Sequence, residues 1–210
     1  MGFGPQADLL RELAFQVGAG ETVGIQGANG VGKSTLLRLA AGLLRPRRGQ
    51  IRVLDAEAPV ARRRGWIGWC HPDTGFLRRV SLRTNLATLT RFDRSPSASL
   101  ADRLETLAEG LGLTPYLEVP CERCSSGTLQ RARLVQVLLR SPRVALLDEP
   151  LRGIDAASRP GVARFVRRQL GAAACLWVSH SQDELDGVAD KALTLHDGRL
   201  HAGARHAAAA

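Results

Sequence analysis

The stretch of this sequence best suited to hold an anion is Gly27-Ala28-Asn29-Gly30-Val31-Gly32-Lys33-Ser34. It fits the pattern G-x-x-x-x-G-K-[ST], in which glycines let the backbone fold around phosphates with its N–H groups turned inward. Lys33 supplies positive charge for β- and γ-oxygens, Ser34 a hydroxyl for Mg²⁺, and Thr35 carries the cradle into the next element. A second cluster ends Val144-Ala145-Leu146-Leu147-Asp148-Glu149-Pro150, where two carboxylates close an apolar run. Asp148 there can hold magnesium through water and Glu149 can polarise an attacking water, since phosphoryl transfer depends mainly on positioning and charge stabilisation. An acid pair at a strand end can also simply cap the next turn. A phosphate loop in the same chain weighs against that bland reading.

These residues need a scaffold that brings distant segments to one edge. Residues 21–26 read as a short buried strand running into the glycine-rich turn, and 36–44 as a mostly buried helix, with apolar residues at 36, 37, 39, 40, 43 and 44. Strands are predicted at 51–54 and 66–70, and Val144–Asp148 reads as a central parallel strand covered on both faces. The stretch 73–142 reads as helical, with segments near 81–92, 100–112 and 126–140. A helix at 156–170, a strand at 174–179, a short helix near 182–189, a strand at 192–196 and a tight turn at 196–199 follow. The predicted fold is an α/β P-loop NTPase core with a mostly parallel sheet, about 1–72 and 143–200. A helical subdomain is inserted at about 73–142, and 201–210 is expected to be a loose tail.

Composition narrows the function classes. With 210 residues, 44% of them apolar, the chain can bury a core, which excludes wholesale disorder. No apolar run approaches the ~18–20 residues of a membrane span, and the start, MGFGPQADLL, has no charged-then-apolar leader. The chain is therefore expected to be soluble and cytoplasmic, with any membrane role supplied by a partner. The formal charge is +9, and every basic residue except Lys33 and Lys191 is an arginine. The arginines lie in ones to threes among few aromatics, so no nucleic-acid partner is expected. Cys121 and Cys124 form one CxxC, but no second pair follows at zinc spacing.

The order of the pieces resembles the ATP-binding subunit of an ABC transporter, across about Phe3 to Leu200. Cys124-Ser125-Ser126-Gly127-Thr128-Leu129-Gln130-Arg131, just ahead of the Asp148–Glu149 strand, resembles that family's LSGGQ-x-QR signature. Ser125 stands for the Ser, Gly127 for the second Gly, and Cys124 for the leading Leu. Gly153-Ile154-Asp155 resembles the D-loop, and Val178-Ser179-His180 the switch segment, which makes His180 the group that touches the γ-phosphate. The resemblance implies ATP and Mg²⁺ as ligands, with Phe3 stacking on adenine. It also implies a head-to-tail dimer, with itself or another ABC ATPase, in which each ATP lies between one chain's phosphate loop and the other's Ser125 and Gly127. Asp155 would reach across that interface. A transmembrane permease is the implied partner, contacted around Phe76–Asn85, and the implied location is the inner face of the cell membrane.

The sequence departs from the family pattern in three places. The usual Gln after the strand at 66–70 is replaced by Pro72 or Asp73, and Asp73 becomes a candidate for magnesium or water. Ser126 and Thr128 replace Gly and Gln in the signature. About ten residues usual ahead of Phe3 are lacking here; either the edge strand that they supply is missing or the true start lies upstream, and a less stable base-binding side is expected. The pattern at 71–86 and the Leu151-Arg152 pair resemble ABC-2-type exporters, so export is the expected direction. An iron–sulfur-assembly ATPase and a haem-export subunit of cytochrome c maturation are the alternatives. The separation of 115 positions from Lys33 to Asp148 leaves no room for the coiled coil of DNA-repair members. Lys33, Asp148, Glu149 and His180 together disfavour a non-hydrolysing regulator.

Overall fold

Apolar runs covered on both faces build the sheet. The computed structural model describes residues 9–71, 75–90 and 97–203. In chain order its elements begin with β1 (Thr22–Gln26), α1 (Lys33–Ala40), β2 (Arg52–Val53), β3 (Ala56–Glu57), α2 (Ala58–Arg63) and β4 (Ile67–Cys70). The helices α3 (Leu82–Thr90), α4 (Ser97–Gly110) and α5 (Ser126–Leu139) follow, with 3₁₀ turns at Thr114–Tyr116 and Cys121–Arg123. Then come β5 (Val144–Asp148), α6 (Arg159–Leu170), β6 (Ala174–Val178), α7 (Gln182–Asp186), β7 (Lys191–His196) and β8 (Arg199–Ala202).

Six strands form one sheet in the order β4-β5-β6-β1-β7-β8, parallel throughout except for the final β7–β8 hairpin. Alternation persists inside the apolar strands. Leu146, Leu176 and Val178 join Val23, Ile25, Leu36 and Leu37 on the α1 face. Ala145, Leu147, Cys175 and Trp177 point to the opposite face, where they share one core with Leu86, Leu107, Leu134 and Leu138 of the helical stretch and Val166 of α6. Helix α5 lies close enough to β4 that a Cβ on Gly68 would sit 2.9 Å from the Val137 side chain.

Three expectations are corrected. The helix predicted over 36–44 ends at Ala40, because Gly42 adopts φ +69° and closes a Schellman motif. In it Leu43 N–H donates to Arg38 O (2.9 Å) and Gly42 N–H to Leu39 O (3.0 Å). The strand predicted at 51–54 is only Arg52–Val53. It turns back through Leu54 (φ +55°) and pairs with β3, outside the main sheet. The predicted tail is partly strand. Asp197 and Gly198 both take positive φ, the backbone of a two-residue hairpin, and Arg199–Ala202 returns along β7. No helix among the described residues is long and apolar enough to cross a membrane.

Candidate functional site

The parallel strands β5, β6 and β1 all point their carboxyl ends at one edge, the usual ligand side of an open α/β sheet. β1 runs into the glycine loop, which is held by close approach. A Cβ on Gly27 would lie 2.6 Å from the Leu195 carbonyl oxygen of β7, so only glycine lets the loop pass there. Gly32 starts α1 at φ +112°, and no side chain caps the helix, leaving the first-turn N–H groups and the positive dipole end for an anion. Lys33 is buried, and its Nζ donates to the carbonyls of Gly27 (2.7 Å) and Ala28 (3.0 Å), arched over the loop that it serves. Gly27, Ala28, Asn29 and His180 line one cleft of about 410 Å³, with Gln26 and Thr194 from the ends of β1 and β7.

Glu149 follows β5 with φ +45°, an unusual conformation for a non-glycine residue. Its N–H donates to Val178 O of β6 (2.9 Å), which fixes the turn. The carboxylate lies between the side chains of His180 and Arg152. His180 Nδ1 is 3.6 Å from Oε1, and Arg152 Nη1 is 3.5 Å from Oε2. Backbone strain at such a point fits a carboxylate whose direction is set by its surroundings. Asp148 is buried at the last position of β5, and His71 Nε2 approaches its Oδ2 at 4.0 Å. The ring of His71 leans on Trp69, 4.7 Å between centroids. Helix α1 packs on β5 through Leu36, Leu37 and Leu146, so the start of that helix, with Ser34, belongs to the edge that carries Asp148. A serine hydroxyl and a buried carboxylate are hard oxygen donors of the kind magnesium takes.

The signature residues form a second group. Ser125 is the N-cap of α5. Its Oγ accepts from Thr128 N–H (3.1 Å) and lies 2.8 Å from Thr128 Oγ1, so the Thr that departs from the family pattern takes part in the cap. A Cβ on Gly127 would lie 2.6 Å from the Gly153 carbonyl oxygen, which explains the need for glycine. Asp155 accepts from Ser158 N–H (2.9 Å) and Arg131 Nη2 (3.2 Å), and the hydrogen bonding from Ser158 lowers its pKa. Gln130 Nε2 donates to Pro150 O (3.0 Å), joining α5 to the loop behind Glu149. Ser125, Gly127 and Asp155 are not part of the cleft lined by His180.

Phe3 and Asp73 lie outside the described residues. Sequence reasoning missed Gln26, Thr194, the approach of His71 to Asp148 and the approach of Arg152 to Glu149. The last two follow from strand register and a tight turn. The pairing of Cys70 with Leu147 puts His71 beside Asp148, and Arg152 N–H donates to Glu149 O (3.1 Å).

A glycine loop between β1 and α1, with carboxylates and a histidine at neighbouring strand ends, defines a P-loop nucleoside triphosphatase. The family model described as "ABC transporter" matches residues 10–152. The chain is 33% identical over 201 residues to the lipopolysaccharide export system ATP-binding protein LptB of Acidithiobacillus ferridurans, covering 91% of this chain and 82% of that one. It is likewise 33% identical over 190 residues to the aliphatic sulfonates import ATP-binding protein SsuB 1 of Xanthomonas axonopodis pv. citri, covering 89% and 75%. Among solved structures, an ATP-binding subunit of an ABC transporter superposes with a TM-score of 0.82 at 26% identity, over 91% of this chain and 81% of that one. The chain belongs to the ABC transporter family, as an ATP-binding subunit that hydrolyses ATP.

Proposed function

We propose that this chain powers a membrane exporter by binding and splitting ATP between two copies of an ABC ATPase domain. In this reading Lys33 and the N–H groups of Gly27–Thr35 hold the β- and γ-phosphates. Glu149 accepts a proton from the attacking water, and His180 contacts the γ-phosphate and orients Glu149. Ser34 and Asp148 would hold Mg²⁺, which when bound neutralises charge on the β- and γ-oxygens. The observation that carries the reading is the convergence of three strand ends: His180 shares a cleft with Gly27–Asn29 and lies 3.6 Å from Glu149 Oε1.

A shared site, in which Ser125, Gly127 and Asp155 serve the nucleotide of a second chain, is supported by the likeness of 124–131 to the family signature and of 153–155 to the D-loop. ATP that binds only the closed pair drives closure by its differential affinity for that state. A transmembrane permease then receives the motion at the helical stretch, and holds this chain at the inner face of the membrane. Export rests on the sequence pattern at 71–86 and on Leu151-Arg152. The relatives of equal similarity work in both directions, one named for lipopolysaccharide export and one for sulfonate import.

The test is Glu149→Gln. Turnover is expected to fall by about 10²–10⁴-fold, the range for loss of a general base. ATP binding should persist, and light scattering should find an ATP-dependent dimer. A variant that hydrolyses ATP at the parental rate would remove Glu149 from this role. One that binds ATP and stays monomeric, even mixed with its permease, would remove the shared site.

A further inference from the structure

The CxxC at Cys121–Cys124 has no part in the chemistry above, yet its placement is specific. The two residues open and close a single 3₁₀ turn, with Cys124 N–H donating to Cys121 O (3.2 Å). Residues three apart in such a turn eclipse one another, and a rise of ~2 Å per residue separates their Cα atoms by about 6 Å. That spacing falls within the roughly 4.4–6.8 Å window of a disulfide. Both thiols are free, and both residues line one cleft of about 300 Å³, walled also by Phe76, Leu129, Arg78 and Arg133. The other two cysteines, Cys70 and Cys175, are buried, with thiols pushed up to about 12 by desolvation.

Each sulfur is tied to a different piece of the machinery. Cys121 Sγ accepts from Asn85 Nδ2 (3.2 Å). The Asn85 side chain also anchors the loop before α3, donating to Leu77 O (3.1 Å) and accepting from Leu77 N–H (2.7 Å). The backbone of the turn is stitched to the same loop, through Cys121 N–H to Val80 O (3.1 Å) and Glu122 N–H to Arg78 O (2.9 Å). Cys124 directly precedes the Ser125 cap, and its Sγ points to Pro120 O at 3.7 Å. Joining the sulfurs would withdraw Cys121 from Asn85 and pull on the start of α5.

We propose that Cys121 and Cys124 form a reversible oxidation site for a low-molecular-weight disulfide, placed so that the bridge alters the start of the signature helix. Cys124, the more exposed of the two, attacks one sulfur of R–S–S–R as the thiolate, forming a mixed disulfide and releasing RS⁻. Cys121 loses its proton and attacks Cys124 Sγ, forming the internal bridge and releasing the second RS⁻. One S–S bond breaks and one forms, the chain loses two electrons and two protons, and two RSH are produced. Burial holds both thiols above their ordinary range, so the exchange is slow. The same effect leaves no stabilised thiolate to compete with the disulfide.

The bridge itself does not depend on the nucleotide reading; its effect on turnover rests on Ser125 being a nucleotide contact. The test incubates the full chain with oxidised glutathione, then measures free thiols, mass and ATPase rate. Free thiols should fall from the four of the reduced chain to two. Trypsin, cutting after Arg123, should leave 104–123 and 124–131 joined. Turnover should fall several-fold and recover with dithiothreitol, while Cys121→Ala and Cys124→Ser, each active when reduced, should not respond. Should either variant fail to fold, alkylation of Cys124 in the native chain replaces it and should abolish the bridge. Survival of all four thiols, a bridge through Cys70 or Cys175, or a bridged chain with full turnover would overturn the proposal. Since thiol count and mass are read without nucleotide, failure to bridge leaves the ATPase reading intact.

Discussion

At the strand ends, the charged groups are held by backbone geometry that side chains only complete. Lys33 arches onto two carbonyls of its own loop, Glu149 sits at positive φ with its N–H tied to β6, and Gly27 passes under β7 where no Cβ fits. At the start of α5, local side chains hold one another. Ser125 caps its helix through Thr128, Asp155 accepts from Arg131, and Gln130 reaches Pro150. The first group is supported by five parallel strands, which fix positions relative to one another. The second depends on one helix terminus and its hydrogen bonds, so smaller perturbations should move it. This difference fits the proposed division of labour, in which the phosphate loop grips one nucleotide and the start of α5 engages that of a second chain.

Four substitutions sharpen or break that contrast, with effects falling in order. Lys33→Ala removes the charge over the phosphates and should lower turnover by about 10²–10³-fold, the range for losing one preorganised donor, with ATP affinity falling in equilibrium binding. Because the loop is held by glycine geometry, its melting temperature should barely change. A large loss of stability instead would mean that Lys33 holds the loop together. Gly127→Ala drives a Cβ to 2.6 Å from the Gly153 carbonyl and should destabilise the fold by about 1–3 kcal/mol in urea titration. Turnover should fall while binding to an isolated monomer is kept, because the phosphate loop is untouched. Equal loss of monomer binding would erase the distinction between the two groups.

Ser125→Ala deletes the cap and should cost about 1 kcal/mol, with Ser125→Asn recovering most of it, as judged by thermal unfolding. If Asn restores stability but not turnover, the hydroxyl acts on the nucleotide as well as on the helix. The smallest effect belongs to Glu21, far from both groups. It accepts from Gly18 N–H (2.7 Å) and pairs with Lys191 (2.6 Å), and these contacts lower its pKa. The carboxylate is ionised more readily in the folded state, so its contribution is complete above the ordinary glutamate range. It is lost as pH falls through the lowered folded value. Glu21→Gln should therefore cost below about 1 kcal/mol at neutral pH and nothing in strong acid. A loss that persists at low pH would assign the effect to packing.

Much of the nucleotide side was legible because its chemistry is contiguous. Gly27–Thr35 spells out a phosphate loop between a strand and a helix, and Val144–Asp148 forms a strand with the predicted limits because burial on both faces leaves an unbroken apolar run. His180 was reached only through family order, since one histidine after an apolar strand carries no chemical signal of its own. The elements that escaped are short and depend on partners. β3 and α2, at 56–63, have too few residues for a period to register, and β8 exists because Asp197-Gly198 turns the chain back onto β7. His71 gave no sign of its neighbour, because nothing local distinguishes a residue that strand pairing will set beside Asp148.

Residue type and spacing along the chain marked the groups proposed to grip phosphate and activate water, and with them the class of reaction. Tertiary structure alone decided which of them meet. Pairing of β1, β5 and β6 brings residues more than a hundred positions apart to one edge, whereas Gly127 meets Gly153, and Asp155 meets Arg131, at the start of α5. The reason is that local propensity acts over a few residues, while the register of a parallel sheet is set by burying both faces at once, a condition that no single segment carries.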